Sequence, residues 1–323
     1  MDKKINPTDL DSSFLGHPKP LMSLSLTEVW ERFSFYGIRP LLILFMIAVI
    51  EKGGLGFDRP TASAIVGIFG GSLYLAALPG GFLADRWLGQ KKATFIGAVL
   101  IAFGHLSIAL AIFHTTMFFI GLVLIVIGTG LFKPCASIMV GMLYKDGDPR
   151  RDSGFTIFYM GINLGAFIAP LICGSIQQQY GWHLGFGAGG IGMLIALIIF
   201  YFKTIPDFRE FGEKVGLDKS WEKPVNKKEG LGLIVFIVAI FIAVFIALCV
   251  TGVISLNPTT IAQRMVVFIS LGALLYFLYL FFLAGLNSEE KKSLIVFLVL
   301  FIASAFFWST FEQQPTSFNL FCT

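Results

Sequence analysis

Charge is what this sequence has least of: Asp, Glu, Lys and Arg together make 14% of its 323 residues, against 56% hydrophobic. At a mean hydropathy of +0.80, that scarcity excludes a soluble domain of this size. Reactive groups are thin as well, with four histidines and four cysteines. Cys135, Cys173, Cys249 and Cys322 stand in no paired or metal-ligand spacing, so neither a disulfide framework nor a zinc site is implied. No cofactor is implied either. Alternating ten-residue strands are missing, which excludes a membrane barrel and leaves an all-α class, because backbone groups in a bilayer must be satisfied inside helices. G-x-S-x-G, H-E-x-x-H and facing aspartate pairs are missing too, which argues against an intramembrane enzyme. The stretch "GAGGIG" (187–192) fits G-x-G-x-x-G but follows no strand, so it reads as close helix packing. Gly67 with Gly71, and Gly161 with Gly165, take the same reading. The first twenty residues lack an apolar core with a cleavage site, so the first helix is expected to be retained.

What is present is the length of a membrane span, repeated. A bilayer core of ~30 Å needs ~20 apolar residues per helix, and about nine such segments are expected: 22–50, 60–83, 92–113, 116–143, 154–177, 183–202, 231–253, 264–285 and 293 to the end. The chain divides on this reading into a six-helix bundle (1–203), a cytoplasmic linker (204–230), an inserted helix pair (231–285) and the start of a second bundle (286–323). Lysine and arginine gather in 86–92, 144–151, 203–230 and 287–293, all on one side, which places these loops and the N-terminus in the cytoplasm. The net charge of +4 therefore reports topology in a multi-pass protein of the cell inner membrane, and not nucleic-acid binding. Nothing fixes an oligomeric state, and a monomer is the default expectation. Ending at Thr323 within an apolar stretch reads as a fragment or a truncated product.

Against this background a few charges stand out. In "TEVWERFSFYGIRP" (27–40), Glu28 and Arg32 are spaced to pair along one helix face, with Glu31 beside them. If the span begins near Leu21, Glu31 lies ~15 Å up, about mid-bilayer, where a charge costs ~2.5 kcal/mol or more. Two carboxylates sharing one guanidinium there suit a proton carrier. Arg39 lies ~10 Å above Arg32, and Glu312, counted from Ser293, reaches nearly the same height, so the two either bridge or snorkel independently. Lys133, ~16 Å from the loop at Tyr144 and next to Pro134, reads as a seat for a substrate carboxylate or a partner of the glutamates. His105 is expected to be a satisfied interior group.

Several stretches, in order, carry a resemblance. "GGFLADRWLGQKK" (80–92) resembles the loop between the second and third helices of the major facilitator superfamily. "EVWERFSFYG" (28–37), "GTGLFKP" (128–134), "FYMGINLGAF" (158–167) and "FFWSTFEQ" (306–313) are similar to signatures of its proton-dependent oligopeptide transporters, and the pair 231–285 to an insertion in bacterial members. The resemblance implies the major facilitator fold and proton-coupled symport of di- and tripeptides. It implies that Glu28, Glu31, Arg32, Lys133 and Glu312 couple protons, and that Arg39, Lys133, Tyr36, Tyr74, Asn163 and Trp308 line the peptide site. Arg39 and Glu312, with Gly81, Asp85, Arg86 and Gly89, would serve gating. Cys135 departs from the family's usual asparagine after Lys-Pro, and the rest of the second bundle lies beyond Thr323. The alternatives are a truncated non-transporting product and a transporter of nitrate or another small anion.

Overall fold

The structure, a computed structural model, describes residues 12–215, 221–224 and 257–321. Long apolar runs leave the backbone no partner but itself, and the regular secondary structure of the described residues is accordingly helical, apart from an isolated bridge between Phe14 and His17. The long helices are α1 (Lys19–Ile47), α2 (Arg59–Leu83), α3 (Gln90–Ala109), α4 (Thr115–Gly141), α5 (Arg150–Tyr180) and α6 (Trp182–Ile199). A π-helical turn, Phe200–Thr204, joins α6 to α7 (Ile205–Val215), and α8 (Pro258–Phe282) and α9 (Ser288–Phe311) follow. Seven helices among the described residues are long and apolar enough to cross a membrane. Lys19, Glu28, Glu31, Arg32 and Arg39 keep α1 from counting among them.

The sequence-based boundaries shift where capping decides. The helix expected over 264–285 starts at Pro258, because Asn257 accepts from the amides of Thr259 and Thr260 and proline suits the first turn. The helix expected from 293 starts at Ser288: Asn287 and Glu290 form a capping box, and Glu289 and Glu290 lie at the positive end of the helix dipole. That helix ends at Phe311, so Glu312 is its C-cap, ~36 Å from its first residue, rather than a mid-helix residue. Part of the stretch read as linker is the helix α7. The span expected at 231–253 lies outside the described residues.

The chain forms two compact units. One runs through Leu41 and, with Glu51–Gly53, from Phe69 onward through α7; the other holds Leu42–Ile50, Gly54–Ile68, α8 and α9. In the first unit α3 and α4 approach closely at reciprocal glycines: a Cβ on Gly97 would lie 2.6 Å from the Gly128 carbonyl oxygen, and one on Gly128 2.7 Å from that of Gly97. Gly189 and Gly192 of the "GAGGIG" stretch face Ile38 and Phe33 of α1, which makes the stretch a packing surface. At Gly67, by contrast, no atom among the described residues comes within 4 Å of a Cβ position. His105, expected to be satisfied, is buried with neither ring nitrogen hydrogen-bonded among the described residues. In the second unit α8 and α9 meet through Phe277, Phe297 and Phe301.

Candidate functional site

Helix α1 carries the ionic cluster, and two neighbours decide how deeply it sits. Gly165 of α5 lies so near Val29 that a side chain there would overlap the Val29 carbonyl, and the same Cβ would lie 3.1 Å from that of Arg32. Thr27 donates to the Ser23 carbonyl and meets Thr204 of the π turn at 3.1 Å, fixing the N-terminal half of the helix. Glu28, Glu31 and Arg32 are consequently 4%, 0% and 5% exposed.

Within the cluster the Arg32 fork grips Glu31: Nε donates to Oε2, and NH2 donates to Oε1 at 2.7 Å. Glu28 Oε1 lies 3.2 Å from the same Nε, one helical turn back. The second oxygen of Glu28 has no hydrogen-bond partner among the described residues. Two carboxylates on one guanidinium sum to a charge of −1, and the bidentate bonds go to the nearer one. One added proton makes the cluster neutral, and the unpartnered Glu28 oxygen is the atom where a new O–H would interrupt nothing.

Arg32 is also where the cluster meets a small pocket. Arg32, Arg39 and Lys133 all line it, together with Tyr36, Tyr74 and Thr129. Phe35 stands between the two arginines, its ring centre 5.4 Å from one guanidinium and 5.7 Å from the other. Lys133 sits over the ring of Tyr74 at 5.0 Å and makes no salt bridge among the described residues. The pocket holds about 40 Å³, room for water and too little for a peptide, so it is a charged wall and not a chamber. Cations outnumber carboxylates on it, which suits an anionic group.

The other predicted residues lie elsewhere. Asn163 is exposed on α5 and donates to the Tyr159 carbonyl one turn back. Trp308 packs with Phe307 and Phe311 in the second unit, which also holds Glu312. The predicted gating loop is a π turn, Ala84–Leu88, closed by Gly89 at φ +75°. Asp85 accepts from Gln90 at 2.7 Å, Arg86 lies 4.7 Å over Phe82, and Gly81 faces Pro134. Cys135 is buried against Ala84, Ala93 and Leu88.

Sequence reasoning missed four residues that line the pocket, Phe35, Gly70, Leu73 and Thr129. Thr129 is buried with its hydroxyl unpartnered among the described residues, and its only signal was its place between two glycines. Phe35 was one phenylalanine of 35, with no signal apart from its place between the two arginines.

A sequence model described as the POT family matches residues 91–323. The chain is 58% identical over 310 residues to the peptide transporter YePEPT of Yersinia enterocolitica, covering 96% of this chain and 61% of the relative. It is 36% identical over 318 residues to a di-/tripeptide transporter of Lactococcus lactis subsp. cremoris, covering 96% of this chain and 62% of that one. Among solved structures, a POT family transporter in complex with 5-aminolevulinic acid matches at TM-score 0.84 and 34% identity, over 97% of this chain and 63% of that one. The peptide transporter POT in complex with sulfate matches at 0.81 and 38%, with the same coverage. The chain thus spans about three fifths of the length of the curated relatives it matches.

Proposed function

Because this chain belongs to the POT family, we propose that it serves proton-coupled symport of di- and tripeptides across the cell inner membrane, with its N-terminus on the cytoplasmic side. The observation that carries the reading is the buried cluster of two carboxylates on one guanidinium, opening through Arg32 onto a pocket with two further cations. Glu28, with its unpartnered oxygen, takes the proton and Glu31 keeps the bidentate bond. Neutralising the cluster weakens its hold on Arg32 and Lys133, and both can then answer an anionic group in the pocket together with Arg39.

That group is the peptide carboxylate, which accounts for cations on the pocket and carboxylates behind it. Tyr36 and Tyr74 offer hydroxyls beside it, and Asn163 and Trp308 are assigned to peptide contact by the family resemblance alone. Glu312 is a second protonatable group. The Ala84–Leu88 turn, with Gly81, Asp85, Arg86 and Gly89, serves the conformational step by which access alternates.

The test is uptake of labelled dialanine into proteoliposomes by this chain joined in frame to the C-terminal segment of the Yersinia relative. Uptake that rises with an imposed proton gradient and is competed by tripeptides supports the proposal. Uptake indifferent to the gradient, or uptake of nitrate and not of dialanine, refutes it.

A further inference from the structure

A second cavity, of about 610 Å³, opens at the end of the bundle that carries the basic loops, between the first turns of α3 and the stretch from the end of α6 into α7. Its size suits a small-molecule ligand, and its walls divide by chemistry. Lys91, Lys92 and Arg209 supply the charge, while Phe95, Ile96 and Phe202 supply an apolar side. Glu222 engages Lys91 at 2.8 Å and lies 3.9 Å from Arg209, leaving this wall with two positive charges in excess. Lys92 has no ion pair among the described residues, and the Arg209 side chain is 60% exposed.

The apolar side does not end at the cavity. Phe202 and Ile96 are exposed, and the same two helices continue with exposed Phe103, Leu106, Leu194 and Ile198, a surface that faces hydrocarbon in a membrane-spanning chain. Cations at the water boundary above an aromatic and aliphatic strip fit a molecule with a phosphate at one end and acyl chains at the other. A free anion would leave the strip unused, and a soluble peptide would find it facing lipid.

We propose that this cavity binds an anionic phospholipid of the leaflet on the basic-loop side. Lys92 and Arg209 hold the phosphate, and the acyl chains lie along Phe95, Ile96 and Phe202. Basic pockets between membrane helices on the cytoplasmic side recognise anionic headgroups in this way. Because Arg209 also reaches Glu222, the lipid neutralises one of the cations that hold the segment at Trp221 and Glu222, while Lys91 keeps the other contact.

The experiment is native mass spectrometry of the purified full chain in neutral detergent, titrated with phosphatidylglycerol and, separately, with phosphatidylcholine of the same acyl chains. The unmodified chain is expected to retain phosphatidylglycerol roughly thirtyfold more strongly, the scale of two basic groups each contributing near an anionic surface. Lys92→Gln with Arg209→Gln should bring it down to the phosphatidylcholine level, while Lys145→Gln with Arg151→Gln, an equal loss of charge elsewhere, should not. Equal retention of the two lipids overturns the proposal without any variant. So does full retention by the first double variant, equal loss in the second, or displacement by millimolar inorganic phosphate, which would make the site an anion site only. None of these readouts involves transport, so failure here leaves the proposed function untouched.

Discussion

Replacing Arg32 should cost far more than replacing Glu28, although the two are ion-paired. The cluster now sums to −1; Arg32→Gln takes it to −2 and leaves two buried carboxylates, 4% and 0% exposed, without their cation. Both donors that grip Glu31 are lost at once, together with the 3.2 Å contact to Glu28. Breaking a buried pair by removing one partner costs about 3–5 kcal/mol. Glu28→Gln instead takes the charge to zero, keeps the bidentate bonds, and replaces a carboxylate that already has one unpartnered oxygen. Its cost should stay under about 1 kcal/mol. The assay is the midpoint of loss of the monodisperse peak when detergent-solubilised protein is heated at neutral pH. Arg32→Gln should lower it by at least about 6 °C, and Glu28→Gln by no more than about 3 °C. Equal shifts for the two variants, or an unshifted Arg32→Gln, would refute the charge accounting.

Other outcomes follow from the packing and from the contacts that precede α1. Gly165→Leu should abolish the monodisperse peak, because any side chain overlaps the Val29 carbonyl, whereas Gly174→Leu, with open space, should not. His17 is buried with its ring nitrogens on the hydroxyls of Tyr144 and Ser153, and burial and the Arg150 charge lower its pKa, while Asp148 acts weakly the other way. A depressed histidine pKa means that docking is intact above pH about 6.5 and weakens as pH falls below it. The protection factors against hydrogen exchange at Phe14 and His17, whose amides bond each other's carbonyls, should therefore be lower at pH 5 than at pH 7.5 once the slower intrinsic exchange at pH 5 is divided out. His17→Phe should remove that pH dependence, and unchanged protection at pH 5 would contradict the assignment. Lys133→Met should abolish dialanine uptake in the joined chain with little loss of thermal stability, since among the described residues Lys133 makes no salt bridge whose loss would leave a buried charge unpaired; a stability loss as large as that of Arg32→Gln would show it to be structural.

The charged cluster was legible because rarity made it so: in a stretch that has to cross hydrocarbon, Glu28, Glu31, Arg32, Arg39 and Lys133 have few ordinary explanations. Their arrangement was only half legible. Spacing pairs Glu28 with Arg32, but the guanidinium fork chose the adjacent Glu31, a matter of rotamers that spacing does not encode. Among the described residues the long helices fall where apolar length placed them, whereas helix starts failed where polar residues belong to a first turn, as Asn287 and Glu290 do. The packing role of "GAGGIG" was readable from what it lacked, a preceding strand. Thr129 and His105 were not, since whether a buried polar atom finds a partner depends on neighbours far away in sequence.

The central claim is that Glu28 and Glu31 couple a proton to the peptide, which can be separated from peptide binding itself. In proteoliposomes holding the joined chain, dialanine exchange without a gradient and dialanine uptake driven by one should be compared for Glu28→Gln and Glu31→Gln against the unmodified residues. Retained exchange with lost gradient-driven uptake is the predicted result. Gradient-driven uptake that survives both substitutions would contradict the account.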